Sequence, residues 1–505
     1  MDAQLQPDNS RRIARNTLML YVRMLFLLVI SFYTTRVVLR ALGQDDLGIY
    51  NVVGGVVAVF SVISGALSAA ISRFLTFELG RKDSDRLSLI FSSSVTIQII
   101  IAAIIIILAE PAGLWFINHK MHIDPARIPA ARWVLQFSIA TFAINLISVP
   151  YNAAIIAHER MKAFAGIGIG EGIGKLAVAF AIAKSSSDRL ILYAILMCVV
   201  AVLVRYAYRF FCRKNFEECR FKFRWDAGLF KQMFAFAGWN FIGVSSGVLR
   251  DHGGNILINL FSGTAVNAAR GLAMQVSGAV QNFSTNFMTA LNPQITKSYA
   301  RGDNDYTITL LLKGARMSFF LLLILGLPIL ANTGYLMGLW LGDVPEHAAN
   351  FARLAILLSM SECLSNPLVT AMLATGDIKK YQIIVGGLQL LNLPISYICL
   401  KAGAAPESVL VVAIVLSQIC LGARLVLLKD MIGLPVVRYI KEVWLKVLVI
   451  ATLAALAPIC LQSHLGNGAV QCIASCAICV VWTGLLILTL GMDKEERKIL
   501  KTRRG

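Results

Sequence analysis

The chain of 505 residues is 57% hydrophobic and only 15% charged, with a formal net charge of +19. A soluble domain is about 25% charged, and a soluble chain of this length would contain several domains joined by polar linkers. Apolar runs of about 20 residues, long enough to cross a bilayer as a helix, recur along the chain instead. The composition excludes a soluble enzyme, a secreted disulfide scaffold and a disordered protein, and it indicates a polytopic membrane protein.

The first apolar run begins near Thr17 and extends to about Leu39, after a polar, arginine-containing start. It is too long for the hydrophobic region of a signal peptide, and no small-residue cleavage site follows it. We therefore interpret it as the first of about fourteen transmembrane helices. The predicted spans are at about 17–39, 48–72, 87–108, 131–157, 164–183, 190–211, 234–261, 264–291, 310–332, 351–375, 381–400, 407–428, 443–463 and 467–490.

The lysines and arginines indicate the orientation in the membrane. If the N-terminus is cytoplasmic, the basic segments 213–231 and 494–504 lie inside, whereas the predicted outside loops at 333–350 and near 464 contain no Lys or Arg. Short cytoplasmic loops are enriched in these residues, so we expect both termini in the cytoplasm. The positive charge is then a topology signal, and no nucleic-acid partner is expected.

The ten cysteines do not indicate disulfides or a cofactor site. Cys212 and Cys219 lie at the predicted cytoplasmic loop after span six, where an impermeant thiol reagent should reach them only from inside. Cys472, Cys476 and Cys479 have the spacing of an iron–sulfur loop, but they fall on one face of span fourteen. Because cysteine packs as a small hydrophobic residue, we predict core packing for these three, and no metal or cofactor.

An internal repeat is the most informative pattern. Arg81 and Asp83, after span two, recur as Arg301 and Asp303, after span eight. Five residues of span four recur at nearly the same offset in span ten: Ser148, Pro150, Ala154, Ala157 and Lys162 match Ser365, Pro367, Ala371, Ala374 and Lys379. The repeat contains six spans, an even number, so both halves have the same orientation. Duplicated halves with a midplane site between them are typical of alternating-access transporters.

The repeat predicts an all-α membrane protein with two parallel six-helix bundles around a central cavity, followed by two further helices. The corresponding domains are 1–218, 219–430, and 431–505 with a basic cytoplasmic tail. The alternating glycines from Gly166 to Gly174, before Lys175, resemble a phosphate loop but lack the Walker spacing. Glycines four apart in an apolar span instead favour close helix packing.

No catalytic constellation is found, so an enzyme is not expected. A membrane glycosyltransferase or polymerase would need acidic or basic groups in sizeable outer loops, and the longest predicted outer loop, 109–130, is short.

Charged residues inside the spans give the strongest functional signal, because each is costly in a bilayer and usually faces a cavity or a partner. Arg250 and Asp251 lie near the middle of span seven, on the order of 16 Å from an interface. Gly253 and Gly254 follow, and we expect them to loosen the helix there. A structural ion pair between helices is the alternative for each of these charges.

The cations outnumber the acids. The predicted substrate-binding residues are Arg23, Arg36, Lys175, Arg250 and Arg270, and the predicted cavity or coupling acids are Glu171, Asp251 and Glu362. Arg23 and Arg36 are near enough to the span ends to reach an interface, and Glu171 with Lys175 forms an i,i+4 pair. Since arginine binds phosphate through a planar fork of donors, the surplus of cations favours a phosphate or pyrophosphate headgroup.

Several segments resemble the bacterial polysaccharide-transport flippases. They are Leu42 to Asn51, Arg73 to Leu75, Trp225 to Lys231, Asn267 to Gly271 and Asn292 to Tyr299. The resemblance covers nearly the whole chain and implies membership of the superfamily that also contains multidrug-extrusion transporters and the peptidoglycan-precursor flippase. It also implies two six-helix bundles around a central cavity, and fourteen spans fit the polysaccharide branch better than the twelve-span drug exporters.

The resemblance implies a flippase that moves undecaprenyl-pyrophosphate-linked oligosaccharide across the bacterial cytoplasmic membrane for the assembly of surface polysaccharide such as lipopolysaccharide. The expected partners are the lipid-linked glycan and membrane lipids, and they could include a polysaccharide polymerase and glycosyltransferases. A monomer is expected. The alternative is a cation-coupled multidrug or metabolite exporter of the same superfamily.

Overall fold

The computed structural model describes residues 5–58, 61–119, 121, 123–223, 226–462 and 468–493. These residues form helices joined by short connections, and no strand occurs among them. The α-helices are α1 (Leu5–Ala58), α2 (Ser61–Arg81), α3 (Ser84–His119), α4 (Ile128–Ala157), α5 (Met161–Lys184), α6 (Arg189–Asn215), α7 (Ala227–Ala300), α8 (Asn304–Ala331), α9 (Thr333–Leu341), α10 (Ala348–Cys363), α11 (Asn366–Thr375), α12 (Lys379–Leu390), α13 (Asn392–Lys401), α14 (Ser408–Ile432), α15 (Val436–Tyr439), α16 (Lys446–Gln462) and α17 (Ala469–Leu486).

The predicted all-α membrane fold is confirmed. Ten helical segments of the described residues are long and apolar enough to cross a membrane. The other four predicted spans also fall on helices, within α1–α2, α7 and α16. Two of these four, spans seven and eight, carry Arg250, Asp251 and Arg270, which lower the apolar character of α7.

The six-span repeat is confirmed by local geometry. Helix α3 begins at Ser84, and α8 begins at Asn304. These two positions correspond to each other at the offset that relates Arg81 to Arg301. The preceding aspartates cap the two helices in the same way: Asp83 accepts a hydrogen bond from the Arg86 amide, and Asp303 accepts one from the Tyr306 amide, both at 3.0 Å. Such caps satisfy amides that have no partner within the helix. The duplication therefore extends to the helix ends.

The repeat also preserves a side-chain pair. In the first half, Arg127 donates to Asp188 at 2.8 Å, and these residues stand immediately before α4 and α6. In the second half, the residues before α10 and α14 are His347 and Glu407, and His347 Nδ1 donates to Glu407 Oε1 at 2.8 Å. The cation of the first pair, Arg127, is permanently charged. In the second pair, His347 is a cation only when its imidazole is protonated.

The helix containing Arg250 is not loosened where the sequence predicts it. Helix α7 continues through Gly253 and Gly254, and its non-helical residue is Gly263. The two glycines instead provide space, because a Cβ at Gly253 would overlap Leu393 and one at Gly254 would press against Arg270. The prediction that they loosen the helix is wrong, since close packing explains the absent side chains.

The segment after α6 folds against the protein. Cys212 and Cys219 are both fully buried, and the Phe216 ring between them stacks on His158 with centroids 4.0 Å apart. Cys212 donates to the Tyr151 carbonyl at 3.4 Å. The expectation that a thiol reagent reaches these cysteines is therefore wrong. In contrast, Cys472 and Cys479 lie buried on α17, as predicted for packing residues.

The chain forms two compact units, residues 15–241 and residues 242–505 together with 1–14. The two C-terminal membrane helices, α16 and α17, pack against α8 of the second unit. Asp493, just beyond the last helix, pairs with Arg316 of α8 at 2.8 Å and with Lys446 of α16 at 3.0 Å. The three-part division at 218 and 430 stays a prediction.

Candidate substrate site

In the first unit, Arg23 is held between α1 and α5. Its guanidinium lies over the Phe164 ring, 4.3 Å from the centroid, a distance typical of a cation–π contact. Gly168 and Gly172 face Arg23 and Leu27, and a Cβ at either glycine would overlap those side chains. The predicted helix-packing role of glycines four apart is therefore confirmed. The Arg23 Nε is buried and has no hydrogen-bond partner among the described residues.

The other charges of the first unit are more exposed. Lys175 donates to Glu171 at 2.6 Å within α5, and both side chains are at least one-third exposed. Arg36 is exposed on α1. An i,i+4 pair of this kind stabilises a helix by about 0.2–0.5 kcal/mol in water. The structure thus leaves Arg36 away from Arg23, while the Glu171–Lys175 pair forms as the spacing predicts.

In the second unit, Arg250 joins both predicted acids. Its Nε donates to Asp251 at 3.0 Å, and its Nη1 donates to Glu362 of α10 at 2.5 Å. The Arg250 side chain is 15% exposed, compared with 27% for Glu362. Because opposite charges attract more strongly away from water, this pair connects α7 to α10.

Arg270 approaches the same place from the second half of α7, beyond Gly263. It is 4% exposed, and its Nη1 donates to the Asp251 carbonyl at 3.4 Å and to the side-chain oxygen of Asn255. Its Nε is buried and has no hydrogen-bond partner within the described part of the chain. The hydrogen bonds of this guanidinium therefore go to neutral oxygens.

A third buried arginine, Arg424 of α14, completes the site and was missed by the sequence reasoning. It is 7% exposed, and its Nη1 donates to Ser365 Oγ at 3.0 Å, while its Nε is buried without a described partner. Arg424 lies near the predicted cytoplasmic end of span twelve, and an arginine at such a position indicates topology rather than a binding site. The available clue was Ser365, which belongs to the repeated pattern.

We call Arg250, Asp251, Arg270, Glu362 and Arg424 the charge cluster. Two cavities of about 280 Å³ and 210 Å³ adjoin it. Arg250 and Glu362 line both cavities, Arg270 lines the larger and Arg424 lines the smaller. The cluster thus brings together four of the eight predicted site residues, with three arginines against two carboxylates.

The charge cluster occurs in only one half of the repeat. At the offset that relates Arg81 to Arg301, the counterparts of Arg250, Asp251 and Arg270 are Ile30, Ser31 and Tyr50. At the offset that relates Ser148 to Ser365, the counterpart of Glu362 is Asn145. Arg424 alone has a charged counterpart, Arg205, when α6 and α14 are aligned at their first residues. Because the first half reaches the same helical arrangement without these charges, the fold itself does not require them.

Solved structures identify the class of fold. A multidrug resistance MATE family transporter of the MOP superfamily, in an outward-facing conformation, is similar with a TM-score of 0.72 and 12% identity, over 84% of this chain and 96% of that one. A MOP superfamily transporter from Pyrococcus furiosus Vc1 is similar with a TM-score of 0.71 and 11% identity, also over 84% and 96%. The chain therefore has the fold of MOP-superfamily transporters.

The chain belongs to the polysaccharide biosynthesis protein family, whose model matches residues 11–299. It is 21% identical over 337 residues to the uncharacterized membrane protein EpsK of Bacillus subtilis strain 168, a match that covers 65% of this chain. The match spans 64% of the length of that relative. The predicted family is confirmed.

Proposed function

We propose that this protein is a flippase that moves undecaprenyl-pyrophosphate-linked oligosaccharide across the bacterial cytoplasmic membrane, with both termini in the cytoplasm, for surface polysaccharide assembly. Its family and its fold support transport within polysaccharide biosynthesis. The observation that carries the proposal is the charge cluster, whose three arginines are each at most 15% exposed and four of whose five members have no charged counterpart in the other half of the repeat.

The buried arginines suit a phosphate-containing headgroup. Arg270 and Arg424 donate to neutral oxygens and retain Nε atoms without described partners, so each has capacity for an anionic oxygen. Arginine offers parallel donors to phosphate, and charge-assisted bonds of this kind are about twice as strong as neutral ones. A cationic drug would meet three guanidinium groups at this site.

Arg250 has a different role in this proposal, because two carboxylates already balance it. Asp251 and Glu362 hold its guanidinium between the two cavities, and a pyrophosphate would compete with them for its donors. Each cavity is smaller than the ~300–1,000 Å³ of a typical small-molecule pocket. We therefore assign only phosphate groups to the cluster, with the sugars outside it and the prenyl chain in lipid.

The predicted cations of the first unit lie outside the charge cluster. Arg23 is proposed as a separate anion contact within the first unit, because its Nε is buried without a described partner. Lys175 is neutralised by Glu171, and Arg36 is exposed, so we give both a smaller role. A polysaccharide polymerase and glycosyltransferases remain proposed partners of the flippase.

Deletion of the gene tests the function. With the sugar transferases active, lipid-linked glycan should accumulate in the cytoplasmic leaflet, and a plasmid copy should restore it to the outer leaflet. Unchanged outer-leaflet glycan together with new sensitivity to cationic drugs would favour the exporter. The fold of the multidrug transporter supports that alternative, and the leaflet assay separates the two.

A further inference from the structure

We propose that a third cavity, which lies within the first unit and which we call the outer cavity, binds a sugar residue of the translocated glycan, an inference that rests on the proposed function. The cavity has a volume of about 800 Å³. It lies at the connection between spans one and two, beside the loop that precedes α4. The charge pattern predicts that this end of the first unit faces outside. It shares no residue with the charge cluster.

Part of the lining of the outer cavity is polar. Asp45, Asp46 and Asp124 line it together with Arg127. Arg127 donates to Asp46, which is 7% exposed, and also to Asp188 at 2.8 Å. Asp124 accepts from the Ala126 amide at 2.9 Å. Two of the three carboxylates are therefore held in place by hydrogen bonds, and Asp45 is exposed.

The other lining residues are mainly apolar, and the cavity is partly open. Ile49, Val52, Phe116 and Ile123 contribute to it. Gly48 also lines the cavity, and a Cβ added there would meet no atom within 4 Å. A volume of about 800 Å³ falls within the usual ~300–1,000 Å³ of pockets that combine apolar walls with a few placed polar groups.

The second half of the repeat has apolar residues at the positions that correspond to the three carboxylates. The counterparts of Asp45, Asp46 and Asp124 are Ala265, Val266 and Val344. Val266 packs against a buried core that includes Ala269, Met337 and Ala348. The same helical framework therefore accommodates apolar residues at these three positions, so the fold does not require the carboxylates.

The lining favours a neutral, hydroxyl-rich ligand. Carboxylates accept hydrogen bonds from hydroxyl groups, and a sugar ring also presents C–H surface that can pack on the apolar side. An anionic pyrophosphate would be repelled, because the described lining carries three carboxylates and one guanidinium. A metal ion is disfavoured because Asp46 and Asp124 already have donors. The lining of this cavity thus complements a sugar residue better than it complements a phosphate group.

Protection from thiol labelling tests the inference in membrane vesicles containing the full chain. The reporter is Val52→Cys, because Val52 lines the cavity and is 46% exposed. The probe is the oligosaccharide released by mild acid from the cell's own lipid-linked glycan. At a concentration about ten times its Kd, the oligosaccharide should slow maleimide labelling about tenfold, as mass action requires. Ser186→Cys, in the exposed connection between α5 and α6, should label at an unchanged rate.

Two glycine variants provide a matched pair for this assay. Gly48→Phe should fill the cavity and abolish protection of the Val52→Cys reporter. Gly54→Phe adds the same side chain to the same helix in open space, but Gly54 does not line the cavity, so protection should persist. Both variants keep ordinary helical backbone, so loss of protection in the first alone identifies the cavity.

Three results would overturn the inference. They are unchanged labelling at saturating oligosaccharide, equal protection in the Gly48→Phe variant, and protection by calcium chloride or tetraphenylphosphonium but not by oligosaccharide. None of these would affect the deletion assay. If one of these labelling results is obtained and deletion of the gene still leaves glycan in the cytoplasmic leaflet, the sugar site is wrong and the flippase function stands.

Discussion

Gly43 and Gly263 adopt nearly identical backbone conformations at equivalent positions of the repeat. Their φ and ψ angles are 79° and 177°, and 84° and 177°, and each interrupts a long helix, α1 or α7. This region of backbone space is accessible almost exclusively to glycine. The two residues therefore fix the same bend in each half, although the halves differ in the charges that surround it.

Replacement of Gly43 should destabilise the protein through backbone strain alone. A Cβ at Gly43 would meet no atom within 4 Å, so the cost arises from its positive φ. We expect Gly43→Ala to lose about 1–3 kcal/mol of unfolding free energy, and Gly263→Ala to behave alike. Gly48→Ala, in open space with ordinary φ, is the control and should leave the melting temperature almost unchanged. Equal melting temperatures for all three variants would contradict the assignment of backbone strain to positions 43 and 263.

Removal of Arg250 should affect both folding and transport. Arg250→Ala leaves Glu362 without its partner, and breaking a buried pair costs about 3–5 kcal/mol, so the folded yield should fall. Arg250→Ala with Glu362→Gln should recover the yield but not transport. Arg250→Lys keeps the charge without the planar fork, so it should retain partial transport.

The control for Arg250 is Arg438→Ala, which removes an exposed i,i+4 pair with Glu442. Such pairs contribute about 0–1 kcal/mol, so yield and transport should stay normal. If the double variant at Arg250 and Glu362 transports normally, Arg250 only balances an acid, and its assignment to the phosphate is wrong.

Acid should weaken the second unit through Glu407. Burial alone would raise the pKa of this carboxyl, but hydrogen bonds from His347 and Asn350 outweigh burial and hold the pKa below its ordinary value. A lowered pKa in the folded state gives stability that is present above the unfolded pKa of about 4.3 and is lost as the pH falls through the folded pKa. The melting temperature should therefore fall more steeply with acid in the wild type than in Glu407→Gln.

Glu442→Gln is the matched control for the acid experiment, because Glu442 pairs with Arg438 on the surface. Its melting temperature should follow the wild-type dependence on pH. If Glu407→Gln also follows the wild-type curve, the pair between His347 and Glu407 does not contribute to stability.

The orientation can be measured with introduced cysteines, because Cys212 and Cys219 are buried. Glu217 is exposed between them, and Ser186 is exposed in the connection that precedes α6. An impermeant maleimide should label Ser186→Cys in intact cells and Glu217→Cys only in inverted vesicles, above the background of the native cysteines. The reverse pattern would contradict the positive-inside assignment.

The sequence predicts the helices and the duplication well because both depend on local patterns. Apolar length determines the spans, and Asp83 with Asp303 marks equivalent helix starts. The charge cluster is only partly predictable, because Arg250, Asp251 and Glu362 are conspicuous in apolar spans, whereas Arg424 lies near a span end. Whether such an arginine reaches an interface or turns towards Ser365 depends on packing between helices that are distant in sequence.

The outer cavity shows the same limitation. Asp45, Asp46 and Asp124 occur in predicted loops, where acidic residues are ordinary. Only the folded chain brings them to one cavity with Arg127. The counterpart of Asp46 in the second half, Val266, packs against a buried hydrophobic core instead.

Transbilayer movement of lipid-linked glycan by the purified protein is the most direct test of the proposed function. Proteoliposomes would contain undecaprenyl-pyrophosphate-linked oligosaccharide, and a membrane-impermeant glycosidase would report the accessible fraction over time. The wild type should make glycan of the inner leaflet accessible, whereas Arg250→Ala with Glu362→Gln, folded to normal yield, should leave it protected as in protein-free liposomes. Equal protection in wild-type and protein-free liposomes, under an imposed proton or sodium gradient as well as without one, would contradict the flippase assignment.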